Sequence, residues 1–166
     1  MINNEQLLTT EEYATLVETA HDYSLRHGFT VYLIGETGLK RSEAAHFTSE
    51  WLDEKNQVVS VPYGNEEWSS KHRARHIPLR NTAVENLTAY TEELKDDAFD
   101  VSGSAIYDRV SRAGNVAGFN VVNPSVLRRM FGRRLRNHGL PVEMMAGILG
   151  IDPRELIDSI YVDTRI

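Results

Sequence analysis

Two stretches of the chain concentrate the side chains best suited to act on a phosphate. Residues 101–136 hold seven arginines against one acid, Asp108, and residues 71–80 hold Lys71, Arg73, Arg75 and Arg80 with no acid. A guanidinium is planar, keeps its charge at any physiological pH and donates two parallel hydrogen bonds, which fit phosphate oxygens. The whole chain nevertheless carries a formal charge of −6, the wrong sign for a polyanionic partner. Segregation of charge offers a way out. Residues 1–39 carry six acids against Arg26 alone, and residues 85–100 carry six against Lys95. A chain so divided can have an acidic back and a basic working face, although chance clustering on solvated helices or a salty cytoplasm gives the same pattern.

Other chemistries find less support. There is no cysteine, which excludes a disulfide framework, a thiolate zinc site and a cysteine nucleophile. His72 and His76 stand four residues apart in a strand-like segment with no third ligand nearby, so they read as phosphate contacts or exposed residues and not as a metal pair. Neither a metal nor a cofactor is expected. Tyr161 is the only tyrosine after Tyr107, which leaves it as the lone phenol of the C-terminal third.

These residues need a scaffold, and 166 residues suffice for one domain with its own core. Thr9 and Glu12 have capping-box spacing ahead of Tyr13, Leu16, Val17 and Ala20, so a helix is expected over 10–25, ending at His27-Gly28. An apolar run, Phe29 to Ile34, follows, and then a helix from Ser42 to Trp51. Asn56–Tyr63 and Arg75–Leu79 read as a strand and its return, the second stopped by Pro78. Helices follow at Thr82–Leu94, Ser104–Arg112, Pro124 to about Asn137, Val142–Leu149 and Pro153–Tyr161, with a loop at Ala113–Asn120. The fold expected is mainly α with a small antiparallel β-hairpin.

Three separated segments then resemble one family. Thr37-Gly38-Leu39-Lys40-Arg41-Ser42-Glu43-Ala44 is similar to the Thr-Gly-Leu/Met-Arg-Ile/Leu/Val-Ser/Gly-Glu box of the tyrosine recombinases, the family of phage integrases and Xer-like proteins. Taking the arginine that stands just before Ser-Glu puts the family's first catalytic arginine on Arg41. Lys71 to Leu79 looks like the hairpin whose lysine precedes a strand ending in Ile-Pro-Leu. Pro124-Ser125-Val126-Leu127-Arg128-Arg129-Met130-Phe131 matches the Pro-His-x-Leu-Arg-His-Thr-Phe box and puts the second arginine on Arg128. Leu149-Gly150-Ile151 falls at the family's Leu-Gly-His, and Tyr161 at its nucleophile.

The resemblance covers roughly residues 8–163 and implies a chemistry. Tyr161 would attack a DNA phosphate and hold it as a 3′-phosphotyrosine link, with Arg41 and Arg128 on the non-bridging oxygens. Lys71 would protonate the leaving 5′ oxygen. Lys40, His72, Arg73, Arg75, Arg129 and Arg133 would contact double-stranded DNA. Ser125 and Ile151 stand where the family has histidines; serine keeps one hydrogen bond, isoleucine none. The implied function is site-specific DNA recombination by an integrase of a mobile element or virus, with self-association on DNA. The alternative is a recombinase-derived DNA-binding or regulatory protein that cuts weakly or not at all. The expected organisation is one catalytic domain over 1–166 with no core-binding domain before it. A signal-like start and any apolar stretch near 18 residues are lacking, so the protein is expected to be cytoplasmic, off the membrane.

Overall fold

The computed structural model describes residues 7–63, 74–95 and 101–157. The chain opens with α1 (Thr10–Tyr23), where the capping box forms as expected: the Thr9 hydroxyl accepts from the Glu12 amide, and Glu12 accepts from the Thr9 amide. The helix does not run on to residue 25. Ser24 adopts an extended conformation and caps a second helix, α2 (Leu25–Thr37), with its side chain accepting from the His27 amide. The expected stop at His27-Gly28 thus lies inside α2, and the apolar run is helical. Every residue of α2 from Gly28 to Thr37 is buried. A helix walled in on all sides has no polar stripe, and so lacks the periodicity that announces an amphipathic helix.

Gly38 ends α2 at φ 65°. A Cβ there would collide with the Phe131 ring, so this position needs glycine for both its backbone and its neighbour. The chain then makes a short α3 (Arg41–His46) and a 3-10 turn (Ser49–Trp51), where a single helix to Trp51 was expected. Three antiparallel strands follow in the order β1 (Leu52–Asp53), β2 (Val58–Val61), β3 (Arg75–Pro78). The hairpin reading holds for β2 and β3, while β1 adds a strand that two residues could not signal. Next come α4 (Asn81–Leu94), α5 (Gly103–Ala117), α6 (Pro124–Asn137), α7 (Val142–Leu149) and α8 (Pro153–Leu156). α5 takes in most of the expected loop at 113–120. α6 starts on Pro124, with Asn123 capping the Val126 amide.

The core gathers around α2, which packs on α1, α3, α4, α5 and α6. Leu16, Leu33, Ile34, Leu87, Leu127 and Met145 are among its fully buried side chains. α2 therefore carries its C-terminal end, and the Thr37–Glu43 box that follows, to a fixed place beside α6. The sheet approaches from the other side, with β3 against α7.

Candidate active site

Strand alternation decides the first contact. In the β2–β3 register, Val61 pairs with Arg75 and Val59 with Ile77. Val59, Val61 and Ile77 are buried, so Arg75 shares their inward face. His76, of opposite parity, is exposed, and its Nδ1 lies 2.8 Å from the Ser60 hydroxyl. A guanidinium turned inward requires an acid. Glu43 of α3 supplies it: Arg75 Nη1 donates to Oε2 at 2.6 Å and Nη2 to Oε1 at 2.8 Å. The two side chains are 6% and 0% exposed. Glu43 Oε1 also accepts the Lys40 amide at 2.8 Å, closing the first turn of α3. Burial pushes the Glu43 carboxyl upward, but the hydrogen bonds and charge of Arg75 outweigh it and hold the group below the usual carboxylate range.

The second element of the site is the C-terminal end of α7. Its last carbonyls lack helical partners and sit at the negative end of the helix dipole. Three cations from three elements meet them in succession. Arg75 Nε donates to the Ile148 carbonyl at 2.8 Å, Arg128 Nη2 to Leu149 at 3.0 Å, and Lys40 Nζ to Gly150 at 2.9 Å. Gly150 turns the chain at φ 69°, and a Cβ there would lie 2.6 Å from Arg75 Nη1. Only glycine lets the guanidinium pass this close. The Ile151 amide folds back on the Ala146 carbonyl at 3.1 Å, a Schellman closure.

Lys40 and Arg128 both feel the confinement. Burial depresses the Lys40 ammonium, with Arg128 and Arg75 adding to the effect and Glu43 and Glu155 opposing it. Burial likewise depresses the Arg128 guanidinium, against Glu43 and Glu155 and with Arg75, though an arginine keeps its charge throughout. Arg128 Nε is buried with no hydrogen-bond partner among the described residues. Lys40, Arg75 and Arg128 thus gather around one fully buried carboxylate, with Glu155 also acting on Lys40 and Arg128, and a cluster of cations is a place where an anion can bind.

The expected residues divide sharply. Arg128 lies with Lys40 and Arg75 on the last carbonyls of α7. Arg41 is not beside it. Arg41 is exposed, with its guanidinium 5.9 Å from the centre of the Tyr107 ring and its Nε 3.5 Å from where a Gly103 Cβ would stand, both on α5. The residue that joins Arg128 is Lys40, expected only to touch DNA. The box held the signal: counted forward from Thr-Gly-Leu, the arginine position is 40, whereas counting back from Ser-Glu by one residue gave 41. Arg75, also expected on DNA, lies on the inward face of β3 with its guanidinium on Glu43.

Ser125 is exposed in the first turn of α6, three residues before Arg128 and so on a neighbouring part of the same helix face. Ile151 is partly buried against the core. Arg129 and Arg133 are half-buried on α6. Arg133 lies about 140° around the helix from Arg128 and lines a cleft with Leu8, Gly35 and Asn137. Lys71, His72, Arg73 and Tyr161 lie outside the described residues. A cleft of about 570 Å³ between α1 and α4, lined by Tyr13, His21, Tyr32 and Tyr90 among others, contains neither Lys40 nor Arg128. Among the described residues no group of three acids or histidines could hold a metal, and no helix is long and apolar enough to cross a membrane.

The sequence reading missed a second buried acid. Glu36, 2% exposed, accepts from Arg80 Nη2 at 2.5 Å, Arg134 Nη1 at 3.1 Å and the Tyr13 hydroxyl at 3.0 Å. In the sequence it counted as one more member of the acidic segment 1–39.

A mainly helical domain with a three-stranded antiparallel sheet, and with cations converging from the Thr-Gly box and the Leu-Arg box, defines a tyrosine recombinase catalytic domain by class. The sequence signature of the phage integrase family matches residues 6–165, and the chain belongs to that family. Among solved structures, XerA recombinase is 20% identical with a TM-score of 0.74, the match covering 96% of this chain and 63% of XerA. Residues 75–356 of lambda integrase, a dimer bound to a COC′ core site, are 15% identical with a TM-score of 0.72, covering 96% and 60%. XerH bound to its difH substrate is 16% identical with a TM-score of 0.71, covering 94% and 50%. The chain thus spans between half and 63% of the length of these solved chains. No curated protein sequence matches it.

Proposed function

We propose that the protein is the catalytic part of a site-specific DNA recombinase, an integrase of a mobile element or virus, acting inside the cell on double-stranded DNA as a homo-oligomer. A backbone phosphate sits between Lys40 and Arg128, with Ser125 and Arg129 of α6 alongside. The Tyr161 hydroxyl gives its proton to solvent and attacks phosphorus, forming a 3′-phosphotyrosine as the bond to the 5′ oxygen breaks, and Lys71 gives that oxygen a proton. Charge that builds on the non-bridging oxygens is met by cations already in position. No step calls for a metal or cofactor.

The observation that carries this reading is the convergence of Lys40 and Arg128 on the end of α7, ahead of the segment that leads to Tyr161. The difH substrate bound by XerH, and the COC′ core site bound by the lambda integrase dimer, support the choice of partner and of assembly. A nicked suicide duplex tests it. The wild-type chain should trap covalent DNA and Tyr161→Phe none; equal trapping by both sinks the proposal.

A second reading is favoured by Ile151, whose apolar side chain packs on the core where the family places a histidine. On that reading the protein binds DNA and does not cut it. Losing one general base costs roughly 10²–10⁴-fold in rate. Salt-dependent binding with no covalent product from the wild type would select it.

A further inference from the structure

We propose that Arg75 is a positioning residue: by occupying both oxygens of Glu43 it keeps that carboxylate from capturing Lys40, and so leaves the Lys40 ammonium to the end of α7 and to an incoming phosphate. The phosphate half of this statement rests on the recombinase reading above; the charge competition does not.

The competition follows from the geometry. Glu43 is fully buried and needs a cation. Arg75 meets it with a two-pronged fork, Nη1 to Oε2 and Nη2 to Oε1, which a lysine ammonium cannot reproduce. Lys40 is the rival. It stands three residues before Glu43, already gives it a backbone N–H, and carries a flexible stem. Arg128 is the weaker rival, since its Nη2 is anchored on Leu149. Among the described residues the charged groups that act on Lys40 are Glu43 of α3, Arg75 of β3, Arg128 of α6 and Glu155 of α8. With Arg75 gone, the acid closest along the chain loses its fork, and the flexible ammonium is the cation best able to replace it.

The fold is built to keep Arg75 in this seat. The β2–β3 register turns it inward opposite Val61. Its third donor, Nε, is fixed on the Ile148 carbonyl at 2.8 Å. Gly150 leaves room for the guanidinium where any side chain would collide with Nη1 at 2.6 Å. The same arginine therefore ties together the strand, the acid beneath Lys40 and the helix end on which Lys40 and Arg128 rest.

Two measurements on the full chain test the proposal. The first needs no DNA: the Lys40 ammonium is titrated by NMR in the wild type, Arg75→Met, Glu43→Gln and the double variant. Arg75→Met should raise the Lys40 pKa, Glu43→Gln should lower it, and the double variant should return it toward wild type. A folded Arg75→Met protein with unmoved Lys40 titration overturns the proposal. If Arg75→Met does not fold, Glu43→Gln decides alone, and an unmoved Lys40 there overturns it equally.

The second measurement is the salt dependence of binding to a DNA half-site. Arg75→Met should flatten the slope of log K against log salt by about 0.9, one phosphate contact, and Arg75→Met/Glu43→Gln should recover it. A packing role predicts a double variant no better than Arg75→Met, which would overturn the proposal. If no variant binds DNA, wild type included, the recombinase reading fails while the titration still decides the role of Arg75.

Discussion

Glu36 and Glu43 are both buried, 2% and 0% exposed, and each draws arginines from distant parts of the chain, yet they leave their surroundings in different states. Around Glu36 the excess charge escapes. Arg80 is 57% exposed and Arg134 27%, and the Tyr13 hydroxyl completes the group, its pKa raised by burial first and by Glu36 second. This group joins α1, α2 and α6 to the residue before α4. Around Glu43 the cations are partly buried and meet backbone carbonyls as well as the acid. Arg75 is consumed by the carboxylate, Lys40 and Arg128 are pressed on carbonyl oxygens, and Arg128 Nε has no partner among the described residues. A buried acid can therefore close a knot or set cations in place for a ligand. Which it does depends on what else the surrounding cations meet.

Substitutions should separate the two groups. The largest expected effect is that of Arg128→Ala on covalent DNA trapping, a loss of about 10²–10³-fold, while Arg134→Ala should leave trapping within a few-fold. Equal losses would erase the distinction. Glu36→Ala should lower stability by about 3 kcal/mol in urea unfolding, because two guanidiniums and a phenol lose their common acceptor, with DNA affinity per folded molecule unchanged.

The pH dependence should differ as well. Lys40, depressed by burial, loses its charge at lower pH than an ordinary lysine, so DNA affinity should fall as pH rises through that shifted value. Lys40→Arg should carry the fall to higher pH; an unchanged profile would remove Lys40 from the contact. The smallest effect concerns acid. The Glu43 carboxyl is held below its unfolded value, so its stabilisation is complete above the ordinary carboxylate range and is lost as pH drops through the folded value. Glu43→Gln should flatten that acid limb of the stability curve.

The parts of the fold legible in the sequence were those with local chemistry behind them. Thr9 with Glu12, Pro124 after Asn123, and the apolar rhythm of α1 and α6 each state a helix start or face without outside help. α2 was hidden because burial on all sides removes the polar stripe, and β1 because two residues carry no period. At the site, Arg128 was legible from the Leu-Arg box. Lys40 and Arg41 were not told apart by residue type, since adjacent cations at a helix start point about 100° apart and only the neighbours decide which faces in. The inward turn of Arg75 was available from its parity with Ile77. The Thr-Gly box singled out Glu43, but not its pairing with Arg75, because a buried glutamate looks the same in a sequence as a solvated one.

The central claim is that the anion seat is made by Lys40 and Arg128 and not by Arg41. Half-site DNA affinity against salt, measured side by side for Lys40→Ala, Arg128→Ala and Arg41→Ala, addresses it most directly. The account predicts slopes flattened by about 0.9 for each of the first two, and an Arg41→Ala affinity within about threefold of wild type, as for an ordinary exposed side chain. A flattened slope for Arg41→Ala with Lys40→Ala at wild-type values would contradict it.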